Sequence, residues 1–170
     1  IAIVGPGAIG GILAAWLAQD PHNEVTVCAR TAFDHLEVET PEGRIEASPR
    51  VLTDPAQATP VDWVLVATKA YDAEATARWL TGLRRANTPA VVLQNGVEHV
   101  ERFAPYVARE AIVPAVIDCP AERTAPGRMR QRGPSWIVVP DSEQGRAFVG
   151  LFAKTNFDVS TGDFTTRAWG

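Results

Sequence analysis

The chain has 170 residues, a length typical of one domain with a single sizeable core, and a formal net charge of −4. Its 16 lysines and arginines are spread along the sequence rather than gathered in one run, so we expect no nucleic-acid partner. No apolar stretch reaches the roughly 20 residues that a helix needs to span a bilayer, and we therefore expect no membrane contact.

Short runs rich in β-branched residues alternate with longer stretches of helical periodicity. The runs are Ile1 to Val4, Glu24 to Ala29, Trp63 to Thr68, Ala90 to Gln94 and Ile112 to Ile117. Their continuous apolar character is typical of strands that are buried on both faces of a sheet. The alternation predicts an α/β fold of the Rossmann type, with a doubly wound, mostly parallel sheet that helices cover on both faces.

Two helices are predicted between these runs. Ala8 to Gln19 is rich in alanine, leucine and isoleucine, and it ends before Asp20-Pro21 because the residue preceding a proline disfavours helical geometry. Ala73 to Arg85 is the second helix, with Asp72 as its N-cap. Each helix would connect two strands, as a parallel sheet requires.

The pattern changes after Ile117. Glu122 to Arg132 holds Pro126-Gly127 at its centre and predicts a hairpin, and hence an antiparallel extension of the fold near its C-terminal end. Arginines in this segment favour a solvated hairpin, while a patch that binds phosphate or a partner remains the alternative. The elements predicted next are a strand at Ser135 to Val139, a helix at Asp141 to Lys154 and a short strand at Phe157 to Ser160.

Both ends of the sequence fall inside predicted elements. The chain starts in a strand at Ile1 without an initiator methionine, and Asp163 to Gly170 predicts an N-cap followed by the first turn or two of a helix. We expect residues 1–162 to form one domain and residues 163–170 to begin a helix that leads out of it. The chain is then expected to be part of a longer protein.

The first predicted strand runs into a glycine-rich turn, Gly5-Pro6-Gly7-Ala8-Ile9-Gly10, which opens the first predicted helix. This is the G-x-G-x-x-G pattern in the strand-to-helix context that dinucleotide-binding domains require. The first glycine makes the tight turn, the second admits a pyrophosphate, and the third lets helix and strand pack closely. Free backbone N–H groups and the helix dipole would then hold the phosphates.

The second predicted strand ends on Arg30, at the position where NAD-binding domains place an acid for the ribose 2′-hydroxyl. The nearest acid, Asp34, lies several residues further along. A guanidinium binds a charged 2′-phosphate well, so Arg30 favours NADP as the cofactor. The alternative is that Arg30 is a solvated loop residue.

Polar residues follow the next two strands of the predicted sheet. Lys69 comes after the third run and Asn95-Gly96 after the fourth. Ligands of such sheets bind outside the carboxyl ends of the strands, which makes both positions candidates for the site. A loop-capping lysine and an ordinary Asn-Gly turn are the alternatives.

Four segments together resemble the ketopantoate reductase family, whose members are also called 2-dehydropantoate 2-reductases. They are Gly5 to Gly11, Arg30, Ala67-Thr68-Lys69-Ala70-Tyr71 and Leu93-Gln94-Asn95-Gly96-Val97, in this order and spacing. The resemblance implies that NADPH delivers a hydride to the keto carbon of a branched 2-keto acid, reducing 2-dehydropantoate to pantoate in pantothenate biosynthesis.

The same resemblance assigns roles to residues. Lys69 would lie beside cofactor and substrate, Asn95 would contact the substrate or the nicotinamide ribose, and Arg30 would bind the 2′-phosphate. Lys69 and Asn95 are the catalytic candidates. The expected cofactor-binding residues are Gly5, Pro6, Gly7, Ala8, Ile9, Gly10, Arg30, Thr68, Lys69, Asn95 and Gly96.

Two features set the chain apart from the family pattern. Ile117-Asp118-Cys119-Pro120 stands where the family often has a threonine-rich segment, and Asn95-Gly96 continues as Val97-Glu98-His99 without a further glycine. Asp163 to Gly170 resembles the entry into the family's C-terminal helical domain, where a tryptophan shortly precedes the catalytic lysine. The principal catalytic lysine and the substrate domain, through which a homodimer could form, are therefore expected beyond Gly170.

Two alternatives to this function remain. One is a related Rossmann reductase that acts on another 2-keto acid, and the other is a non-catalytic sensor module that binds NADP.

We expect no catalytic or metal-binding role for the cysteines, histidines and tryptophans. Cys28 and Cys119 lack the spacing of a zinc site or a disulfide framework, so we expect no metal site and reduced thiols in the cytoplasm. We expect the three histidines, His22, His35 and His99, at the surface. We expect Trp63, Trp79 and Trp136 in the core.

Overall fold

The computed structural model of the chain describes residues 1–169, and side chains as far as Arg167. Its strands are β1 (Ala2–Val4), β2 (Thr26–Cys28), β3 (Leu36–Thr40), β4 (Gly43–Ala47), β5 (Arg50–Leu52), β6 (Val64–Val66), β7 (Ala90–Val92), β8 (Ile112–Pro114), β9 (Val116–Asp118), β10 (Ala121–Ala125), β11 (Arg128–Gln131), β12 (Ser135–Pro140) and β13 (Phe157–Gly162). Its helices are α1 (Ala8–Leu17), α2 (Ala73–Leu83), α3 (His99–Phe103), α4 (Glu143–Leu151) and α5 (Phe164–Trp169).

A parallel sheet of six strands forms the centre of the molecule, in the order β5-β2-β1-β6-β7-β8. This confirms the predicted Rossmann-type α/β fold and four of its five predicted strands, which are β1, β2, β6 and β7. The chain builds outwards from β1 to β2 and β5, and then returns to place β6 on the other side of β1. The crevice where ligands of such sheets bind therefore opens at the carboxyl ends of β1 and β6.

Apart from the edge strand β5, the strands of this sheet are buried on both faces, and their alternate residues face opposite layers. Ile3 belongs to a core with α1, α4 and the mixed sheets, whereas Ala2 and Val4 belong to a second core with α2 and α3. Trp79 is buried in the second core, which confirms its prediction, while Trp63 and Trp136 are only half-buried.

A second sheet of four strands, in the order β10-β11-β3-β4, packs against α1. The antiparallel β10–β11 hairpin confirms the extension predicted at Glu122 to Arg132. The β3–β4 hairpin and β5 were missing from the prediction, although Leu36 to Thr40 alternates apolar and polar residues as a half-buried strand does. Because β3 pairs with β11 in parallel, the extension is mixed rather than purely antiparallel.

The single strand predicted at Ile112 to Ile117 is wrong, since the structure divides it between two sheets. β8 ends the six-stranded sheet at Pro114, which has no N–H to continue a ladder, and edge strands tolerate proline for this reason. β9 then pairs antiparallel with β12, and β12 pairs in parallel with β13.

The later elements follow the prediction closely. Helix α4 and strands β12 and β13 agree with their predicted ranges to within a few residues. Asp163 begins the final helix, where its Oδ1 accepts the backbone N–H of Thr165 at 3.0 Å. Gly170 lies outside the described residues. Within the described residues, no helix has the length and apolar character needed to cross a membrane.

Candidate functional site

A cleft of about 340 Å³ opens at the carboxyl ends of β1, β2 and β6. Five parts of the chain surround it: the glycine turn, the end of β2, the segment after β6, one face of α2 and the β10–β11 hairpin. The lining residues are Val4, Gly5, Pro6, Gly7, Cys28, Ala29, Arg30, Thr31, Phe33, Ala67, Thr68, Lys69, Tyr71, Asp72, Ala75, Thr76, Trp79, Arg123 and Gly127. The cleft thus lies at the switch point of the parallel sheet.

Two glycines of the turn are required by the packing of the chain on itself. Gly5 has a φ of +90°, and a Cβ there would lie 2.8 Å from Cγ2 of Thr68. A Cβ on Gly10 would lie 2.2 Å from the carbonyl oxygen of Gly5. Without side chains at these positions, the segment after β6 can approach Gly5, and helix α1 can approach the end of β1.

Gly7 differs from both, because a Cβ there would meet no atom within 4 Å. It is the N-cap residue of α1, and no side chain within the described residues caps this helix. The first N–H groups of a helix have no partner inside the helix, and they attract anions together with the helix dipole. Open space and unpaired amides at Gly7 are what a pyrophosphate group needs.

Arg30 stands at the end of β2 with its side chain 80% exposed, and it lines the cleft. Its Nη2 donates to Oδ1 of Asp72 at 2.7 Å, so the pair connects β2 to the start of α2. Asp72 is the N-cap residue of α2 as predicted, but its side chain makes no cap hydrogen bond. The carboxylate is instead turned towards the arginine.

The segments after β6 and β7 are joined by the side chain of Gln94. Its Nε2 donates to Oγ1 of Thr68 at 3.0 Å and to the carbonyl oxygen of Lys69 at 3.2 Å, and its Oε1 accepts from Nη1 of Arg102 at 2.9 Å. Thr68 Oγ1 also lies 2.8 Å from Oγ1 of Thr76 on α2. We call Thr68, Thr76, Gln94 and Arg102 the glutamine network.

The structure brings some of the predicted site residues together and leaves others apart. Gly5, Pro6, Gly7, Arg30, Thr68 and Lys69 all line the cleft, and Ala8, Ile9 and Gly10 form the first turn of α1 behind it. Asn95 and Gly96 are exposed and are not part of the lining. Gly96 has a φ of +100°, which explains why glycine follows Asn95 at this turn.

Sequence reasoning did not single out Asp72 or Tyr71 as site residues, and it considered Arg123 only within a segment whose alternative was a patch that binds phosphate or a partner, although all three line the cleft. Tyr71 is 84% exposed, which is unusual for an aromatic side chain. Tyr71 lies two residues after Lys69, within the Ala67 to Tyr71 segment that carries the family resemblance, and this was the signal of the site that the sequence contained.

The prediction for His99 is wrong, whereas His22 and His35 are exposed as expected. His99 is fully buried at the start of α3, and neither ring nitrogen has a hydrogen-bond partner within the described residues. Its ring lies 5.4 Å from that of Phe164 on α5. Burial lowers the pKa of His99, the neighbouring backbone of Gln94 opposes this shift, and the charge of Arg102 adds to it.

A larger cavity, of about 1130 Å³, lies at the amino ends of the same strands, beside Trp63 and Arg85. Its lining includes no glycine turn and no helix N-terminus, so its size alone does not make it the site.

The β3–β4 hairpin and the residue just before it carry a cluster of potential metal ligands. One such atom each of His35, Glu37 and Glu46 lies within 4.8 Å of the others. Arg44 lies 3.3 Å from Glu37 and 3.8 Å from Glu46 and already supplies the positive charge there.

Both cysteines are free thiols in the described part of the chain. Burial raises the pKa of Cys28 to about 12 and also raises that of Cys119. A thiol with a raised pKa is a poor nucleophile near neutral pH, so neither cysteine is a candidate for covalent chemistry.

Comparison with known proteins identifies relatives of the whole chain. A family model described as Ketopantoate reductase PanE/ApbA matches residues 1–144. The chain is 56% identical over 170 residues to a 2-dehydropantoate 2-reductase of Caulobacter vibrioides, and the match covers 99% of the chain and 59% of that protein. It is 38% identical over 176 residues to the 2-dehydropantoate 2-reductase of Mycobacterium tuberculosis, with 99% and 58% covered. The chain thus spans less than two thirds of the length of these relatives.

Solved structures share the fold. A 2-dehydropantoate 2-reductase from Geobacter metallireducens superposes with a TM-score of 0.85 at 24% identity, and the match covers 99% of this chain and 60% of that one. A D-mandelate dehydrogenase solved with NADH and anilino(oxo)acetate gives a TM-score of 0.79 at 19% identity, covering 96% and 57%. The fold alone therefore does not choose the substrate. The family model, in contrast, matches most of the chain, and the chain belongs to the ketopantoate reductase family.

Proposed function

We propose that this chain is the cofactor-binding part of an NADPH-dependent reductase of a 2-keto acid, with 2-dehydropantoate as the substrate and pantoate as the product. The observation that carries the proposal is the cleft at the switch point, in which the glycine turn, Arg30 and Lys69 lie together in a member of this family. Two relatives named 2-dehydropantoate 2-reductase support the choice of substrate. This reaction would place the protein in pantothenate biosynthesis.

The residues of the cleft fit a dinucleotide. Gly7 leaves space beside the uncapped N-terminus of α1, where backbone N–H groups would hold the pyrophosphate. When bound, NADPH supplies the hydride, and the protein positions it. The glutamine network holds Thr68 and the backbone of Lys69 in place, which fixes the wall of the cleft that the segment after β6 forms.

Arg30 supports NADP over NAD. Its guanidinium lies at the end of β2 in the place of the usual ribose-binding acid, and its side chain is exposed to an incoming phosphate. To bind the 2′-phosphate, Arg30 would exchange Asp72 for a stronger acceptor. An exposed ion pair of this kind contributes at most about 1 kcal/mol, so its loss would be offset easily.

Lys69 and Asn95 are proposed to act at the reacting end of the cleft. Lys69 is a cation at the cleft edge that can stabilise negative charge on the substrate carboxylate or on the developing alkoxide. Asn95 is exposed and directly follows Gln94, so it is available to a substrate that approaches from solvent. The alkoxide formed by hydride transfer also needs a proton donor.

We assign that donor to a lysine beyond Gly170. The relatives are longer than this chain, and we propose that residues 1–162 form one domain that ends just before α5. Residues 163–170 would then begin the helix that enters a helical substrate domain. A Staphylococcus aureus neighbour is described as a dimeric ketopantoate reductase, which supports a homodimer formed through that second domain.

The two free cysteine thiols suit a reducing compartment, and we propose that the protein is located in the cytoplasm.

The test uses the purified chain and a version extended to the length of its relatives. The 170-residue chain should bind NADPH in a fluorescence titration but reduce 2-dehydropantoate negligibly. The extended protein should turn over 2-dehydropantoate faster than other 2-keto acids. Failure to bind NADPH would refute the cofactor assignment, and detectable turnover by the short chain would refute the assignment of the proton donor to the second domain.

A further inference from the structure

The β10–β11 hairpin is held firmly against α1. Nε1 of Trp16 on α1 donates to Oε1 of Gln131 on β11 at 2.9 Å. Met129 packs on Gly11 so closely that a Cβ on this glycine would lie 2.2 Å from the Met129 Cε. The hairpin therefore has a defined position relative to the first turns of α1, where the phosphates of a dinucleotide would bind.

The strand register directs one arginine of this hairpin towards the cleft. Arg123 on β10 lies directly opposite Met129 on β11, and residues opposite each other in an antiparallel pair project from the same face of the sheet. Because Met129 faces α1, Arg123 projects on the α1 side as well. Accordingly, Arg123 lines the cleft together with Gly5, Pro6 and Gly7.

Arg123 differs in its charge environment from Arg130 and Arg132. Arg130 pairs with Glu39 and Glu122, and Arg132 pairs with Glu122. Arg123 is exposed and forms no ion pair with any described residue. An unpaired guanidinium beside the positive end of a helix is electrostatically unfavourable until an anion binds between them.

We propose that Arg123 binds the pyrophosphate of the dinucleotide from the hairpin side of the cleft, opposite the N-terminus of α1. This rests on the proposed function, and it adds a second arginine to the cleft. Arg30 and Arg123 then serve different phosphates: Arg30 at the end of β2 binds the 2′-phosphate that only NADPH carries, and Arg123 binds the pyrophosphate that NADPH and NADH share.

The experiment compares NADPH and NADH binding to three variants of the 170-residue chain. Arg123→Ala should weaken both nucleotides by the same factor, about tenfold, as the loss of a charge-assisted hydrogen bond predicts. Arg30→Ala should weaken NADPH alone. Arg128→Ala is the matched control, because Arg128 is an exposed arginine of the same hairpin that does not line the cleft, and it should leave both affinities within about twofold.

Each outcome separates this inference from the proposed function. Unchanged affinities in Arg123→Ala, or a loss confined to NADPH, would overturn the pyrophosphate contact while leaving the cofactor assignment intact. If the parent chain bound neither nucleotide, the proposed function and this inference would both fail. Arg123→Lys should recover part of the affinity, and equal melting temperatures of all variants would exclude a folding defect as the cause.

Discussion

The two halves of the cleft are built by opposite means. Along the glycine turn, from Gly5 to Gly10, the backbone N–H groups at the start of α1 have no side-chain cap among the described residues, and Gly7 faces open space. In the glutamine network, each hydrogen-bonding side chain is satisfied by another, and β6, β7, α2 and α3 are joined as a result. The glycine turn can bind a ligand because it has uncapped N–H groups and open space, whereas the glutamine network supports the site through hydrogen bonds that are already formed.

The largest effect is expected where the glycine turn is packed most tightly. Gly10→Ala would place a Cβ 2.2 Å from the carbonyl oxygen of Gly5, and this backbone contact cannot be relieved without moving α1. We expect a loss of about 3 kcal/mol in the free energy of unfolding, together with the loss of NADPH binding. Chemical denaturation followed by circular dichroism measures the first, and fluorescence titration the second.

Gly7→Ala is the informative partner of this variant. Its Cβ would meet nothing in the protein, so stability should be unchanged while NADPH affinity falls because the Cβ occupies the space for the pyrophosphate. If Gly7→Ala bound NADPH as well as the parent, the assignment of this space to phosphate would be wrong. Gly150→Ala serves as the control, since it is a helical glycine with open space, and it should stabilise the protein slightly.

The next largest effect is expected in the glutamine network. Gln94→Ala removes the partner of Thr68, the Lys69 carbonyl and Arg102 at a buried site. We expect a loss of about 2 kcal/mol in the free energy of unfolding, because buried groups are left unsatisfied. Gln57→Ala, at an exposed glutamine, should change stability by less than about 0.5 kcal/mol. Equal stabilities of the two variants would show that the network is not a structural support.

A smaller, selective effect is expected at Arg30. Arg30→Ala should weaken NADPH by about tenfold or more and leave NADH unchanged, since a charge-assisted hydrogen bond contributes about 1.5 to 3 kcal/mol. Arg85→Ala, at the opposite end of the sheet, should change neither affinity. An equal loss for both nucleotides in Arg30→Ala would contradict the assignment of this residue to the 2′-phosphate.

The smallest effect is expected at His99. Unlike the side chains of the glutamine network, its ring nitrogens have no hydrogen-bond partner among the described residues. Because burial lowers its pKa, the folded state binds fewer protons than the unfolded state as the pH falls below the ordinary histidine value. Stability should therefore decline as the pH falls through this range, and His99→Phe should reduce that decline. Denaturation midpoints measured from neutral pH down to mildly acidic pH test this. His35→Ala, which removes an exposed histidine, should leave the decline as it is.

The parts of the fold that were predictable are those whose signal is local. The buried strands of the parallel sheet and the glycine turn show themselves in a few consecutive residues, and Arg30 and Lys69 follow directly from their places at strand ends. The alternation of apolar and polar residues at Leu36 to Thr40 also indicates a strand, but the β3–β4 hairpin was not predicted because it interrupts the regular βαβ pattern.

What the sequence could not show depends on distant partners. Nothing near Asp72 distinguishes a helix cap from a partner of Arg30, which lies 42 residues earlier. The burial of His99 depends on Phe164 of α5, and the direction of Arg123 depends on the strand register with Met129. These details come from tertiary packing, which local propensity does not encode.

The pairing of β3 with β11 has a consequence for how the molecule folds. The two strands are far apart in the chain, as shown by Arg130 and Glu39, which form an ion pair across 91 residues of sequence. Contacts of such long range form slowly, because a large loop must close before they contribute. During synthesis the β3–β4 hairpin emerges early and keeps an unpaired edge until β11 arrives, and such an edge is prone to pair with other chains. The hairpin that carries Arg123 therefore covers this edge of β3 only after most of the chain has been made.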